Sequence, residues 1–173
     1  MKILVLNGSP RPRGNTAAMV EAFTRGAEES GHEVSVVAVC QKKIAGCLGC
    51  EYCHTKGEGH CIQKDDMQAV YPLFQEAELL VLASPVYYFG FTGQLQCAIS
   101  RLYAPGRSRC LKKTALMLSS GSDDVYEGAI YSYRSSFVDY LGLEDLGVFT
   151  AFGAQNRSEE LLNRLYEFGK TLR

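Results

Sequence analysis

Short apolar runs alternate with amphipathic segments along the chain. Lys2 to Leu6 is an apolar run that stops at NGSPRPRGN, the pattern of a buried strand feeding a loop. From Asn15, residues Met19, Ala22, Phe23, Gly26 and Ala27 recur at helical spacing, and Gly31 supplies a stop. The valine-rich HEVSVVAVC predicts a second strand, completing a parallel βαβ unit. Asp65 or Asp66 is placed to cap a helix running through Ala77, with Pro72 kinking it or lying near its end. ELLVLAS predicts a third strand buried on both faces, Leu95, Ala98, Ile99 and Leu102 a helix, and TALMLSS a fourth strand. Tyr126, Ile130, Tyr133, Phe137 and Leu141 keep helical spacing. LGVFTAFG then predicts a fifth strand, and Asn156 with Glu159 forms a capping box for a terminal helix.

Parallel strands need crossovers, so five strands alternating with helices predict an α/β fold with an open, doubly wound parallel sheet. The length of 173 residues suits one domain, 1–173, with a cysteine-rich loop at 42–64 that reads as an insertion after the second strand. A formal net charge of −1 lacks the basic excess of nucleic-acid binders, so no nucleic-acid partner is expected. No apolar run approaches the roughly 18 residues of a membrane span, and ILVL is too short for a signal segment. A soluble, cytoplasmic chain is expected.

Ligands of such sheets bind beyond the carboxyl ends of the strands, which directs attention to three loops. The first, GSPRPRGNT, has neither a Walker ending nor G-x-G-x-x-G, which disfavours nucleoside triphosphates and dinucleotides. It offers Ser9, Asn15 and Thr16 side chains, backbone amides and the guanidinium of Arg11 or Arg13 at a helix start, which suits a phosphate monoester; the alternative is a plain turn with a capped helix. The third-strand loop places Pro85, Val86, Tyr87, Tyr88 and Phe89 beside Gly90. It suits a flat ring system, or else its aromatics are core or interface residues. The fourth-strand loop adds Ser119, Ser120, Gly121 and Ser122 as small donors, with Asp123 and Asp124 read as solvated.

NGSPRPRGNT, SPVYYFG and the cysteine stretch ending in CIQKDDM together resemble the flavodoxin-like NADPH-dependent FMN reductase family, specifically its iron-sulfur flavoprotein branch. The resemblance implies a three-layer flavodoxin-like fold with strand order 2-1-3-4-5. It further implies FMN on the strand ends, its phosphate in Ser9–Thr16 and its isoalloxazine against Pro85–Gly90 and Ser119–Ser122. It also implies a homodimer or homotetramer, so some of the aromatics would face a partner subunit. Where such relatives commonly read Lys and then Asp-Arg, this chain has Gln96 and Ser100-Arg101, which questions any salt bridge within that pair.

Four of the seven cysteines lie in GCLGCEYCHTKGEGHC. Cys47, Cys50 and Cys53 form C-x-x-C-x-x-C, able to reach three corners of a cubane, and Cys61 returns after seven residues. The spacing resembles the iron-sulfur flavoprotein motif, which implies a 4Fe–4S cluster. Zinc with the same thiolates beside His54 and His60, or a reduced loop without metal, are the alternatives. Disulfides are disfavoured in a reducing compartment. Cys40, Cys97 and Cys110 read as small core residues.

The leading functional expectation is an FMN oxidoreductase fed by NAD(P)H or ferredoxin and reducing a quinone, free flavin or a protein acceptor, with no catalytic side chain required. A flavodoxin-like electron carrier is the alternative, against which the weak net charge argues. A phosphate-binding or zinc-stabilised interaction module is the third reading.

Overall fold

The computed structural model describes residues Met1–Arg173. The apolar runs become strands β1 (Lys2–Asn7), β2 (Glu33–Ala38), β3 (Leu79–Pro85), β4 (Lys113–Ser120) and β5 (Glu144–Phe152). Between and after them run helices α1 (Asn15–Glu29), α2 (Val70–Glu76), α3 (Gly93–Arg101), α4 (Glu127–Tyr133) and α5 (Glu159–Lys170). The sheet order is β2-β1-β3-β4-β5 with every pairing parallel, the flavodoxin-like order. The order reverses at β1, so the crevice outside the carboxyl ends of β1 and β3 is the natural ligand position.

Side chains alternate across β1 and divide the core. Ile3 and Val5 pack with α1 and α5, whereas Leu4 and Leu6 pack with residues of α2, α3 and α4. On the first face α1 and α5 touch backbone to backbone. A Cβ on Gly26 would lie 2.0 Å from the Tyr166 carbonyl oxygen, and one on Gly169 would lie 2.3 Å from that of Phe23. Only glycine permits this approach.

Three local expectations change. The terminal helix is capped by Ser158, whose side chain accepts from the Leu161 amide, and not by Asn156. Asn156 is buried and donates to the carbonyls of Ser120 and Gly153, ending a short 3-10 turn (Gly153–Arg157) that sequence spacing did not separate from the helix. The helix predicted across Tyr126 to Leu141 turns π-helical over Arg134–Tyr140, which keeps Tyr133 and Phe137 both buried while the Tyr133 hydroxyl donates to Asp145 at 2.8 Å. Asp65 caps a 3-10 turn (Asp66–Ala69) ahead of α2, and Pro72 sits in the first turn of α2, where its missing N–H costs least.

The cysteine-rich loop leaves after β2 and returns at Asp65. Its neck is closed by reciprocal bonds, Lys43 N–H to the Asp66 carboxylate at 2.7 Å and Asp66 N–H to the Lys43 carbonyl at 3.1 Å. No helix is long and apolar enough to cross a membrane.

Candidate functional site

The loops after β1, β3 and β4 meet in a cleft of about 290 Å³ at the strand ends. Ser9, Arg11, Asn15, Thr16, Pro85, Val86, Tyr87, Ser119, Ser120 and Gly121 line it, each singled out from the sequence, together with Gly14 of the same Ser9–Thr16 loop. Helix α1 starts behind Gly14 without any side-chain cap, so its positive end faces the cleft lined by Asn15 and Thr16. Ser9 Oγ accepts from the Arg11 amide at 3.2 Å, shaping the turn, while the Arg11 side chain is exposed and enters no ion pair. Thr16 and Ser119 hydroxyls meet at 2.8 Å and join the first loop to β4. These hydroxyls, amides and a free guanidinium suit an anionic, polyhydroxylated ligand bearing a phosphate.

Arg157 is a residue that sequence reasoning missed. Its Nε donates to Asn15 Oδ1 at 3.1 Å and its Nη2 to the Arg13 carbonyl at 2.5 Å, from a turn 142 positions away. Asn15 therefore keeps its amide N–H groups for a ligand. Arg13 itself is exposed and does not line the cleft.

Tyr88, Phe89, Gly90 and Ser122 also lie outside the lining. Tyr87 and Gly90 pair as an antiparallel bridge at 3.0 and 3.1 Å, so Tyr88 and Phe89 form the tip of a tight turn with φ of +49° and +63°. Two consecutive non-glycine residues in the left-handed region store strain of about 1–2 kcal/mol each. The turn holds both rings in solvent at the rim of the cleft. Ser120 spends its hydroxyl on the Ser122 carbonyl and Tyr126, so Ser119 is the freer hydroxyl of that loop.

Helix α3 leads away from this cleft. Thr92 caps its start and donates to the Gly8 carbonyl at 2.8 Å, and its other end carries the cysteine loop about 12 Å further on at 1.5 Å per residue. Cys47, Cys50, Cys53 and Cys61 all line one small cavity of about 20 Å³, along with Ser100, Arg101 and Tyr103 from the α3 end. Ser100 Oγ accepts from the Cys47 amide at 3.2 Å, and the His54 imidazole meets the Tyr103 carbonyl at 2.9 Å. Burial pushes the Cys53 thiol up. No three His, Cys, Asp or Glu side chains converge tightly enough to hold a single metal ion. The four thiols are the donor type of a cluster or of zinc, and the cavity beside them is smaller than a cluster. The segment Leu48–Glu51 beside it is exposed, with Gly49 and Glu51 in the left-handed region.

Beneath this cavity Arg101 finds an acid despite the loss of the expected neighbour. It pairs with Asp65 at 2.7 and 3.1 Å and also donates to the Ala45 carbonyl and the Tyr71 hydroxyl. Burial would lower the Arg101 pKa, but its bonds to Asp65 and Tyr71 outweigh this and raise it. For Asp65, burial pulls upward while Arg101 and the Ala45 amide hold the carboxyl below its ordinary range. Burial lifts the Tyr71 hydroxyl to about 12. The other three cysteines are not core residues. Cys110 is exposed, and Cys40 and Cys97 are half-buried, the former donating to the Gly8 carbonyl at 3.0 Å.

Comparison with known proteins bears on both regions. The chain is 36% identical over 158 residues to an iron-sulfur flavoprotein of Archaeoglobus fulgidus, covering 88% of this chain and 69% of that one. It is 41% identical over 104 residues to an iron-sulfur flavoprotein of Methanocaldococcus jannaschii, covering 60% of this chain and 52% of the relative's length. The chain thus spans about half the length of some of the relatives it matches. Among solved structures, an NAD(P)H:quinone oxidoreductase from Methanothermobacter marburgensis superposes with a TM-score of 0.74 at 18% identity, over 97% of this chain and 94% of that one. An FMN-dependent NADH-azoreductase from Bacillus anthracis in complex with FMN gives 0.70 at 15% identity, over 98% and 96%. At such identities these two establish the shared fold. The sequence pattern described as NADPH-dependent FMN reductase matches residues 1–156, and the chain belongs to that family.

Proposed function

We infer that the chain is a flavin-dependent oxidoreductase that holds FMN in the strand-end cleft and passes electrons from NAD(P)H to a small acceptor of the quinone or flavin class. The single observation that carries this is the meeting of three separate loops, predicted from sequence alone as flavin contacts, in one hydroxyl-rich cleft at the start of α1. Bound FMN supplies the hydride and electron chemistry. The chain's own part is to bind and orient. Arg11, Asn15, Thr16 and the α1 amides receive the phosphate. Ser119, Pro85, Val86 and Tyr87 flank the ring, and Tyr88, Phe89, Gly90 and Ser122 close over it from the rim, against a second subunit of a homodimer or homotetramer. Arg13 acts through its carbonyl, which anchors Arg157.

The same reading gives Cys47, Cys50, Cys53 and Cys61 to a 4Fe–4S cluster, with ferredoxin as a one-electron partner. The support is that all four line one cavity and that the relatives above are named iron-sulfur flavoproteins.

The test is purification without oxygen, with FMN, iron and acid-labile sulfide assayed on the same sample, followed by NADH and NADPH oxidation with a quinone. Expected are one FMN per chain, iron and sulfide in equal amounts, and quinone-dependent turnover. A protein that neither retains nor binds added FMN overturns the flavin reading. FMN bound without turnover on either nucleotide favours an electron carrier.

A further inference from the structure

A second cavity, of about 520 Å³, is lined from α2, α3 with the turn after it, and the π-helical segment, and shares no residue with the strand-end cleft. Its volume falls in the range of small-ligand pockets, about 300–1,000 Å³. Phe74, Leu102 and Phe137 line it as buried apolar side chains, and Tyr103 and Tyr140 as exposed rings. The Tyr103 ring is fixed in advance. Its hydroxyl donates to the Glu51 carboxylate at 3.0 Å, its carbonyl accepts from His54 at 2.9 Å, and the two rings pack with centroids 4.4 Å apart. The lining also holds the Arg107 guanidinium, which enters no ion pair, and it includes no carboxylate. Arg107 Nη2 lies 3.7 Å from where a Cβ on Gly142 would stand, which puts the cation at the Leu141 end of the cavity. Ser136, Phe137 and Tyr140 reach the cavity from the π turns, a geometry that recurs at functional sites.

We propose that this cavity is a binding site for a small planar aromatic anion, its ring system on the apolar side chains and the Tyr103 and Tyr140 rings, and its carboxylate on Arg107. A flat ring gains both apolar burial and aromatic contact there. The guanidinium fork matches a carboxylate with two parallel hydrogen bonds, and a lining with a cation and no carboxylate favours an anion over a neutral or cationic ring. Ser100 and Tyr103 line this cavity and the cysteine cavity alike. Ser100 Oγ also accepts from the Cys47 amide, so an occupant touches residues that hold the cysteine loop. The inference is independent of what the cysteines bind.

The test uses the full chain with FMN in excess, so that the strand-end cleft is filled, and titrates 2-naphthoate and its neutral analogue 2-naphthamide by calorimetry and by 15N amide spectra. Arg107 and Tyr140 are both exposed, so Arg107→Met and Tyr140→Ala are expected to fold as wild type does. Expected is one saturable 2-naphthoate site per chain that shifts the amides of Ser136, Tyr140 and Leu141. Arg107→Met should weaken it about tenfold, for the loss of one charge-assisted contact. 2-Naphthamide should bind wild type more weakly than 2-naphthoate does, and Arg107→Met no worse than wild type. Tyr140→Ala should weaken both probes. No saturable binding, affinity indifferent to both substitutions, or shifts confined to Tyr87 and Ser119 overturns the proposal. Wild type that self-associates through the 136–141 amides and takes up no 2-naphthoate gives the cavity to a second copy of this chain, which equally overturns it. Wild type that fails to hold FMN yet binds 2-naphthoate at 136–141 sinks the flavin reading and upholds this one.

Discussion

The hydroxyls of Thr16 and Ser119 lie 2.8 Å apart, buried, and tie the first turn of α1 to the last turn of the sheet at β4. Neither residue has another side-chain partner, so each depends on the other. Thr16→Val strands the Ser119 hydroxyl and is expected to cost about 1–3 kcal/mol in urea unfolding. Thr16→Val with Ser119→Ala removes both partners and is expected to recover most of that loss. FMN retention falls in both variants, measured by fluorescence of released flavin.

Arg157 holds Asn15 from the far end of the chain. Arg157→Met frees the Asn15 amide to rotate and removes a cation from the cleft rim. The expected result is an FMN dissociation constant raised about tenfold, from the loss of one charge-assisted bond's worth of order. An unchanged constant with intact melting would place the phosphate elsewhere.

The Asp65–Arg101 pair makes stability depend on acid. Asp65 has a carboxyl pKa held below its ordinary value of 3.8. Its contribution is therefore fully present above that value and is lost as pH falls through the lower folded value. Wild type should lose stability steeply below about pH 4, and Asp65→Asn should flatten that limb of the curve. At neutral pH the same variant leaves a buried guanidinium without its counter-charge and should cost about 3–5 kcal/mol. Chemical denaturation across pH reads both.

Tyr88 occupies the left-handed region while fully exposed, so packing in the isolated chain does not repay its strain. Tyr88→Gly should melt no lower than wild type, because strain relief offsets the roughly 0.5–1 kcal/mol of added chain entropy. Its turnover with NAD(P)H and quinone should fall. A lower melting temperature with unaltered turnover would assign the ring to stability instead.

The strands were legible because each is a short apolar run closed by turn residues, and β1 and β3 carry little else. The cleft was legible for the same reason, since strand ends fix where loops converge. The contact of Arg157 with Asn15 was not, because a bond between a helix start and a turn 142 positions later leaves no local spacing to read. Asp65 and Arg101 escaped likewise. Sequence tied Arg101 to its chain neighbour, whereas the sheet brings the loop neck to it. The Asn156 capping box failed by two positions, where a buried amide bonding to Ser120 outweighed the capping pattern and Ser158 took the cap.

The glycine contact between α1 and α5 sets an order of events during synthesis. Helix α1 precedes β2 to β5 in the chain, and the backbone contact at its Gly26 is made with α5, which begins at Glu159. That contact therefore stays open until α5 has been made. A ribosome stalled before α5 would display the sheet with α1 alone on that face and without Leu161 and Leu165 to complete its core, leaving apolar surface of the kind chaperones bind.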